Sequence, residues 1–233
     1  MFIPLYDGVA LRKLKAPYLT YALVATCVAF YALPLAGLIP PVEPLLAAGF
    51  GIIPKVMLGG AFLPEDIPQA PSWMTPVTSL FLHGGLAHLA GNMVFLWVFG
   101  DNVEDSMGHV RFLLFFILCG VVAALTHAAL NLDSVRPLIG ASGAVSGVIA
   151  AYLLLHPRVR IWGLILKYVP VAIPAWAAIG AWIVVQFVQG FWGDPSAIAW
   201  FAHLGGLAAG LALAPLLIGK DVSLRERWAR WPV

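Results

Sequence analysis

Residues 140–147 read GASGAVSG, from Gly140 to Gly147, in a chain of 233 residues that is 61% hydrophobic. Gly143 and Gly147 stand four apart, and Ser142 stands at the head of the run, where bulky aliphatic residues are expected. In a membrane helix that spacing lets two backbones approach closely, and small residues of this kind commonly serve packing alone. Whether Ser142 is also a reagent depends on what the rest of the chain brings to its level.

Only 10% of the residues are charged, against roughly 25% in an ordinary soluble domain, which points to a membrane protein. A span needs about 20 apolar residues. Windows of that kind fall near 17–38, 82–100, 109–130, 142–156, 161–189 and 198–218. The expectation is an all-α bundle of six transmembrane helices forming one domain over 1–233, with short tails at about 1–16 and 220–233. The fourth window is short, and the fifth carries Pro170 and Pro174, which predicts a bend or tilt. The length of the first window marks it as an anchor and not a cleaved signal peptide.

The basic residues orient the bundle. With the N-terminus inside, Arg12, Lys13, Lys15, Arg111, Arg158, Arg160, Lys167, Lys220, Arg225, Arg227 and Arg230 lie on or near the cytoplasmic side, and Lys55 and Arg136 lie outside. Both termini are then cytoplasmic. The basic C-terminal LRERWARW reads as an ordinary positive-inside anchor with interfacial tryptophans. The stretch from Ile39 to Phe81 is too long for a bare connector. Its apolar residues, interrupted by Pro44, Gly49, Gly51, Pro54, Gly59, Gly60 and Pro64, suit a membrane-associated first outer loop. A net charge of +2 indicates no nucleic-acid partner. Cys27 and Cys119 lie in apolar runs and read as buried free thiols, with no metal pattern and no implied cofactor.

Polar side chains in a bilayer are costly and face the bundle interior or a wet cavity. The second window opens HGGLAHLAGN, with His83, His88 and Asn92; the fourth begins at Ser142; the sixth opens WFAHLGGLAAG, with His203. Given alternating span directions, all of them fall in the outer third of the membrane. His88 and Asn92 are four apart and share a face, as do His203, Gly206 and Gly210. Gly206 and Gly210 make a second small-residue seam, and if it meets the seam of Gly143 and Gly147, Ser142 comes near His203. A neutral imidazole can take the proton of a serine hydroxyl. The oxyanion formed on attack needs donors, one of which is worth roughly 3 to 4 kcal/mol. His88, Asn92 and the Ser142 backbone N–H at a helix start are the candidates. No acid falls within a span at the level of His203, so a two-residue dyad fits better than a triad. The absence of H-E-x-x-H argues against a zinc protease.

These residues resemble the rhomboid intramembrane serine proteases. The likeness covers nearly the whole chain: six spans, a long first outer loop, H-x4-H-x3-N at His83, His88 and Asn92, G-x-S-G at Gly140 to Gly143, and A-H-x-x-G-x-x-x-G from Ala202 to Gly210. The resemblance implies a catalytic dyad of Ser142 and His203, with His88 and Asn92 assisting the oxyanion and His83, Gly140 and Gly143 in support. Gly147, Gly206 and Gly210 are packing residues, and no metal is implied. It also implies transmembrane protein substrates cut in or near their membrane segments. The expected location is a bacterial inner membrane, with the site opening to the outer side. The chain departs from many relatives at Trp73-Met74, where they carry Trp-Arg. It also has Ser146 where some members place a tyrosine against the catalytic histidine. A non-catalytic rhomboid-like protein that binds membrane helices is the alternative. A small transporter or channel fits less well, since inverted repeats and intramembrane charges are not seen.

Overall fold

The structure, a computed structural model, describes residues 2–165, 168–192, 200–219 and 222. Lys167, Asp194, Lys220, Asp221, Arg225, Glu226, Arg227 and Arg230 lie outside the described residues, and with them most of the expected C-terminal tail. The chain is mostly helical and multi-pass. Its long helices are α1 (Tyr18–Leu35), α2 (Leu86–Met107), α3 (His109–Leu130), α4 (Ser142–Leu155), α5 (Ala175–Trp192) and α6 (Trp200–Leu217). Among the described residues, α1, α3 and α6 are long and apolar enough to cross a membrane. A fourth such unit is α2 taken with the short helical segment Ser72–Phe81, from which it bends by 83°.

α4 is the centre of the bundle. Every residue from Gly143 to Tyr152 is buried, as expected of a helix apolar all round and enclosed by others. It packs against α3 and α6, and those three helices form the densest part of the molecule. Phe112, Phe115 and Phe116 of α3, Phe99 of α2 and Tyr152 of α4 fill the space between them.

The expectation of an all-α chain with a single fifth helix from 161 is corrected by a three-stranded sheet. Strands β1 (Phe2–Tyr6), β2 (Arg160–Ile165) and β3 (Val169–Pro174) pair antiparallel in the order β1-β2-β3, and α5 starts only at Ala175. The physical reason lies in the prolines: Pro170 and Pro174 cannot donate helical hydrogen bonds, but they fit an edge strand, which β3 is. Likewise Phe2–Tyr6, expected in a plain tail, is the strand that covers the other side of β2.

The second helix runs past its expected end at 100 to Met107. Its last turns carry buried acids that tie down the entry to α1. Asp105 accepts the backbone N–H groups of Arg12, Lys13 and Leu14 at 2.8–3.0 Å. Glu104, fully buried, accepts the N–H groups of Leu19 and Thr20 and the Thr20 hydroxyl, and meets His109 Nδ1. A carboxylate at the start of α1 satisfies orphan N–H donors and complements the helix dipole. Asp7 is held beside this end by the Tyr152 hydroxyl at 2.7 Å and the Asn102 amide at 3.0 Å. Burial holds its carboxyl above the ordinary carboxylate value, against the opposing hydrogen bonds from Tyr152 and Val9.

At the opposite end, the long connection between α1 and α2 forms short helical turns, among them Val42–Leu46, Pro54–Met57 and Thr75–Thr78. It is pinned by a reciprocal pair of backbone bonds between Ile52 and Leu138, at 2.9 and 2.7 Å. Phe62 and Trp73 on it are largely exposed.

Candidate active site

The turn before α4 has one conformation that only glycine holds without strain. Gly140 has φ +118°, and a Cβ there would lie 2.6 Å from His88 Nε2. Its N–H donates to Ser79 O at 2.9 Å, fixing the turn against the end of the long connection between α1 and α2. The chain then enters α4 at Ser142. The first helical bond of this helix runs from the Val145 N–H to Ala141 O, so the N–H groups of Ser142, Gly143 and Ala144 precede it and point out of the helix start.

The glycines of α4 and α6 face one another. A Cβ on Gly206 would strike Gly143 O, and one on Gly210 would lie 2.5 Å from Gly147 O. On its other side, a Cβ on Gly147 would lie 2.5 Å from Cys119 Sγ of α3. Two backbones at this separation place the start of α4 beside the first turn of α6, where His203 lies.

The result is a cavity of about 220 Å³ lined by Ser142 and Ser146 of α4, His88 and Asn92 of α2, Gln186 of α5 and His203 of α6, among others. Asn92 Nδ2 donates to His88 O at 3.2 Å. Ser146 is buried and its hydroxyl donates to Ser142 O at 2.7 Å, a bond within its own helix. His83 does not line the cavity. It precedes α2, is 1% exposed and stands edge-on behind His88, with ring centroids 5.1 Å apart. Neither of its ring nitrogens has a hydrogen-bond partner among the described residues.

Two residues near the site were not singled out from the sequence. Gln186 Oε1 lies 2.9 Å from His203 Nδ1, and His127 of α3 is within electrostatic reach of the same imidazole. Both are polar residues near the ends of apolar windows, Gln186 with Gln189 and His127 with Thr126, and that is the signal that could have found them. The acids of α2 are remote: Asp101 follows His88 by thirteen positions, about 20 Å along a helix. Among the described residues no three His, Cys, Asp or Glu side chains stand together as metal ligands.

Chemically, the cavity combines a hydroxyl, an imidazole and hydrogen-bond donors from α2 and the start of α4. That set can add a hydroxyl oxygen to a carbonyl and stabilise the resulting charge.

Comparison with known proteins matches residues 70–220 to the Rhomboid domain. The chain is 28% identical over 188 residues to "Rhomboid-type serine protease 2" of Emericella nidulans, covering 77% of this chain and 33% of that protein. It is 38% identical over 81 residues to "Rhomboid protease GluP" of Bacillus subtilis, covering 35% of this chain and 15% of that protein. A third relative, "RHOMBOID-like protein 6, mitochondrial" of Arabidopsis thaliana, is 30% identical over 149 residues, 63% of this chain and 44% of that protein. The chain thus spans less than half the length of each of these three.

Proposed function

The chain belongs to the rhomboid family, and from that premise we propose that it is an intramembrane serine endopeptidase acting through Ser142 and His203. The observation that carries this is the single cavity lined jointly by Ser142, His203, His88 and Asn92. His203 Nε2 takes the Ser142 proton as Oγ attacks the scissile carbonyl carbon. The tetrahedral oxyanion is met by His88, Asn92 and the Ser142 N–H. The imidazolium returns its proton to the leaving amine, the C–N bond breaks, and an acyl-serine remains. Water, deprotonated by the same imidazole, releases the new carboxyl end and restores the hydroxyl.

The substrate class is transmembrane protein segments. A scissile amide must leave its helical hydrogen bonds before a serine reaches it, so helix-destabilising residues near the cut favour cleavage. The reading of six spans in one domain over 1–233 rests on the six apolar windows, and that of cytoplasmic termini with the cavity opening outward on the distribution of Lys and Arg. The proposed location is a bacterial inner membrane, although the matched relatives include a plant protein named mitochondrial as well as a bacterial one.

The test is the protein reconstituted in lipid with a transmembrane reporter, comparing wild type with Ser142→Ala and His203→Ala. Both variants are expected to fall by a factor on the order of 10³ or more. Cleavage at the wild-type rate in either one ends the dyad reading. A folded wild type that neither cuts nor labels with a serine-directed phosphonate points instead to a non-catalytic binder of membrane helices.

A further inference from the structure

Over residues 180–188, α5 has one buried side chain among exposed and half-exposed neighbours. Val184, Val185, Phe187 and Val188 are 44–61% exposed, whereas Gln186 among them is 6% exposed. An amide turned inward in a membrane helix needs a partner to offset its desolvation. Its partner here is the imidazole of His203, 2.9 Å from Oε1 to Nδ1. One turn earlier on the same face, the ring of Trp182 lies against His203 with centroids 5.9 Å apart. Both residues line the cavity.

We propose that Gln186, backed by Trp182, is the positioning residue of the base. Its amide oxygen accepts the Nδ1 proton of His203, fixing the tautomer that leaves Nε2 to accept the serine proton. This rests on the Ser142–His203 reading. It supplies from α5 the support that α4 does not give, since the Ser146 hydroxyl is spent on its own helix at the position where some relatives carry an aromatic ring. A histidine whose second nitrogen is held by an oxygen acceptor is locked in ring orientation as well as tautomer. A neutral amide does this without adding charge to the cavity.

The experiment measures kcat, KM and the pH profile of kcat/KM for the reconstituted full chain with a transmembrane reporter. Gln186→Leu keeps the shape and removes the acceptor. It is expected to lower kcat about tenfold, the worth of one hydrogen bond at a reacting group, with KM changed less than about twofold and an unchanged circular dichroism spectrum. Gln186→Glu restores an acceptor and adds a negative charge, so imidazolium is favoured and the acidic limb of the profile moves to higher pH. The other titratable groups that act electrostatically on this ring are His88 of α2 and His127 of α3, and both are intact in each variant. A wild-type kcat in Gln186→Leu, or an acidic limb of Gln186→Glu that coincides with wild type, overturns the proposal. Should the Leu variant not fold, the limb of the Glu variant decides. Ser142→Ala and His203→Ala run alongside: if either cuts at the wild-type rate, the dyad itself has failed, whatever Gln186 does.

Discussion

α4 and α5 bound the same cavity but are held in opposite ways. α4 is enclosed by α2, α3 and α6 and meets α6 glycine to glycine, backbone against carbonyl. α5 touches α4 and α6 lightly, exposes most of its later turns and reaches the cavity through the side chains of Trp182 and Gln186. The first arrangement fixes positions of main-chain atoms, because interpenetrating backbones have no soft coordinate. The second fixes only an orientation, through one hydrogen bond and a ring contact. The location of serine and histidine is thus set by the rigid seam, and the aim of the imidazole by the looser helix.

The strongest way to break this contrast is at the seam. Gly206→Leu puts a side chain into Gly143 O and is expected to cost about 3 kcal/mol or more. Thermal unfolding in detergent would show it as a large drop in midpoint, and a wild-type midpoint would mean the two helices part freely. A smaller effect is expected from Gly140→Ala. The positive φ costs roughly 1–3 kcal/mol in a non-glycine residue, and the new methyl presses on His88 Nε2. Reporter cleavage should fall on the order of tenfold with the fold retained, whereas full activity would remove His88 from the oxyanion role.

The smallest effect concerns the sheet that leads into α5. Asp7 follows β1, which pairs with β2, and burial raises its pKa in the folded state. A carboxyl raised on folding favours the native state while protonated, and that contribution is lost as pH rises from its ordinary value of 3.8 through the higher folded value. Asp7→Asn should therefore gain stability on wild type as pH rises from acid to neutral. Parallel melting curves at the two pH values would contradict this.

That the chain is a helical, multi-pass membrane protein was legible from composition, because lipid admits only elements that satisfy their own backbone. The rhomboid resemblance was legible from three short motifs. The strands at 160–174 were not, since Val, Ile, Trp and Pro there are as apolar as a span and their partner, Phe2–Tyr6, lies at the other end of the chain. Gln186 was visible as one of two amides, with Gln189, in an apolar window, but its inward direction was not. Helix register depends on where α5 starts, and the hairpin moved that start to Ala175.

By itself the sequence determined which polar residue types are available on the apolar helices and how they are spaced along each one, because helical periodicity is local. It could not determine which faces oppose each other or which side chain meets which nitrogen of His203. Those depend on packing between segments far apart in the chain, where a glycine carbonyl on one helix decides how near another can come. Only the tertiary structure brought α4, α6, α2 and α5 around one cavity and set the amide of Gln186 against the imidazole.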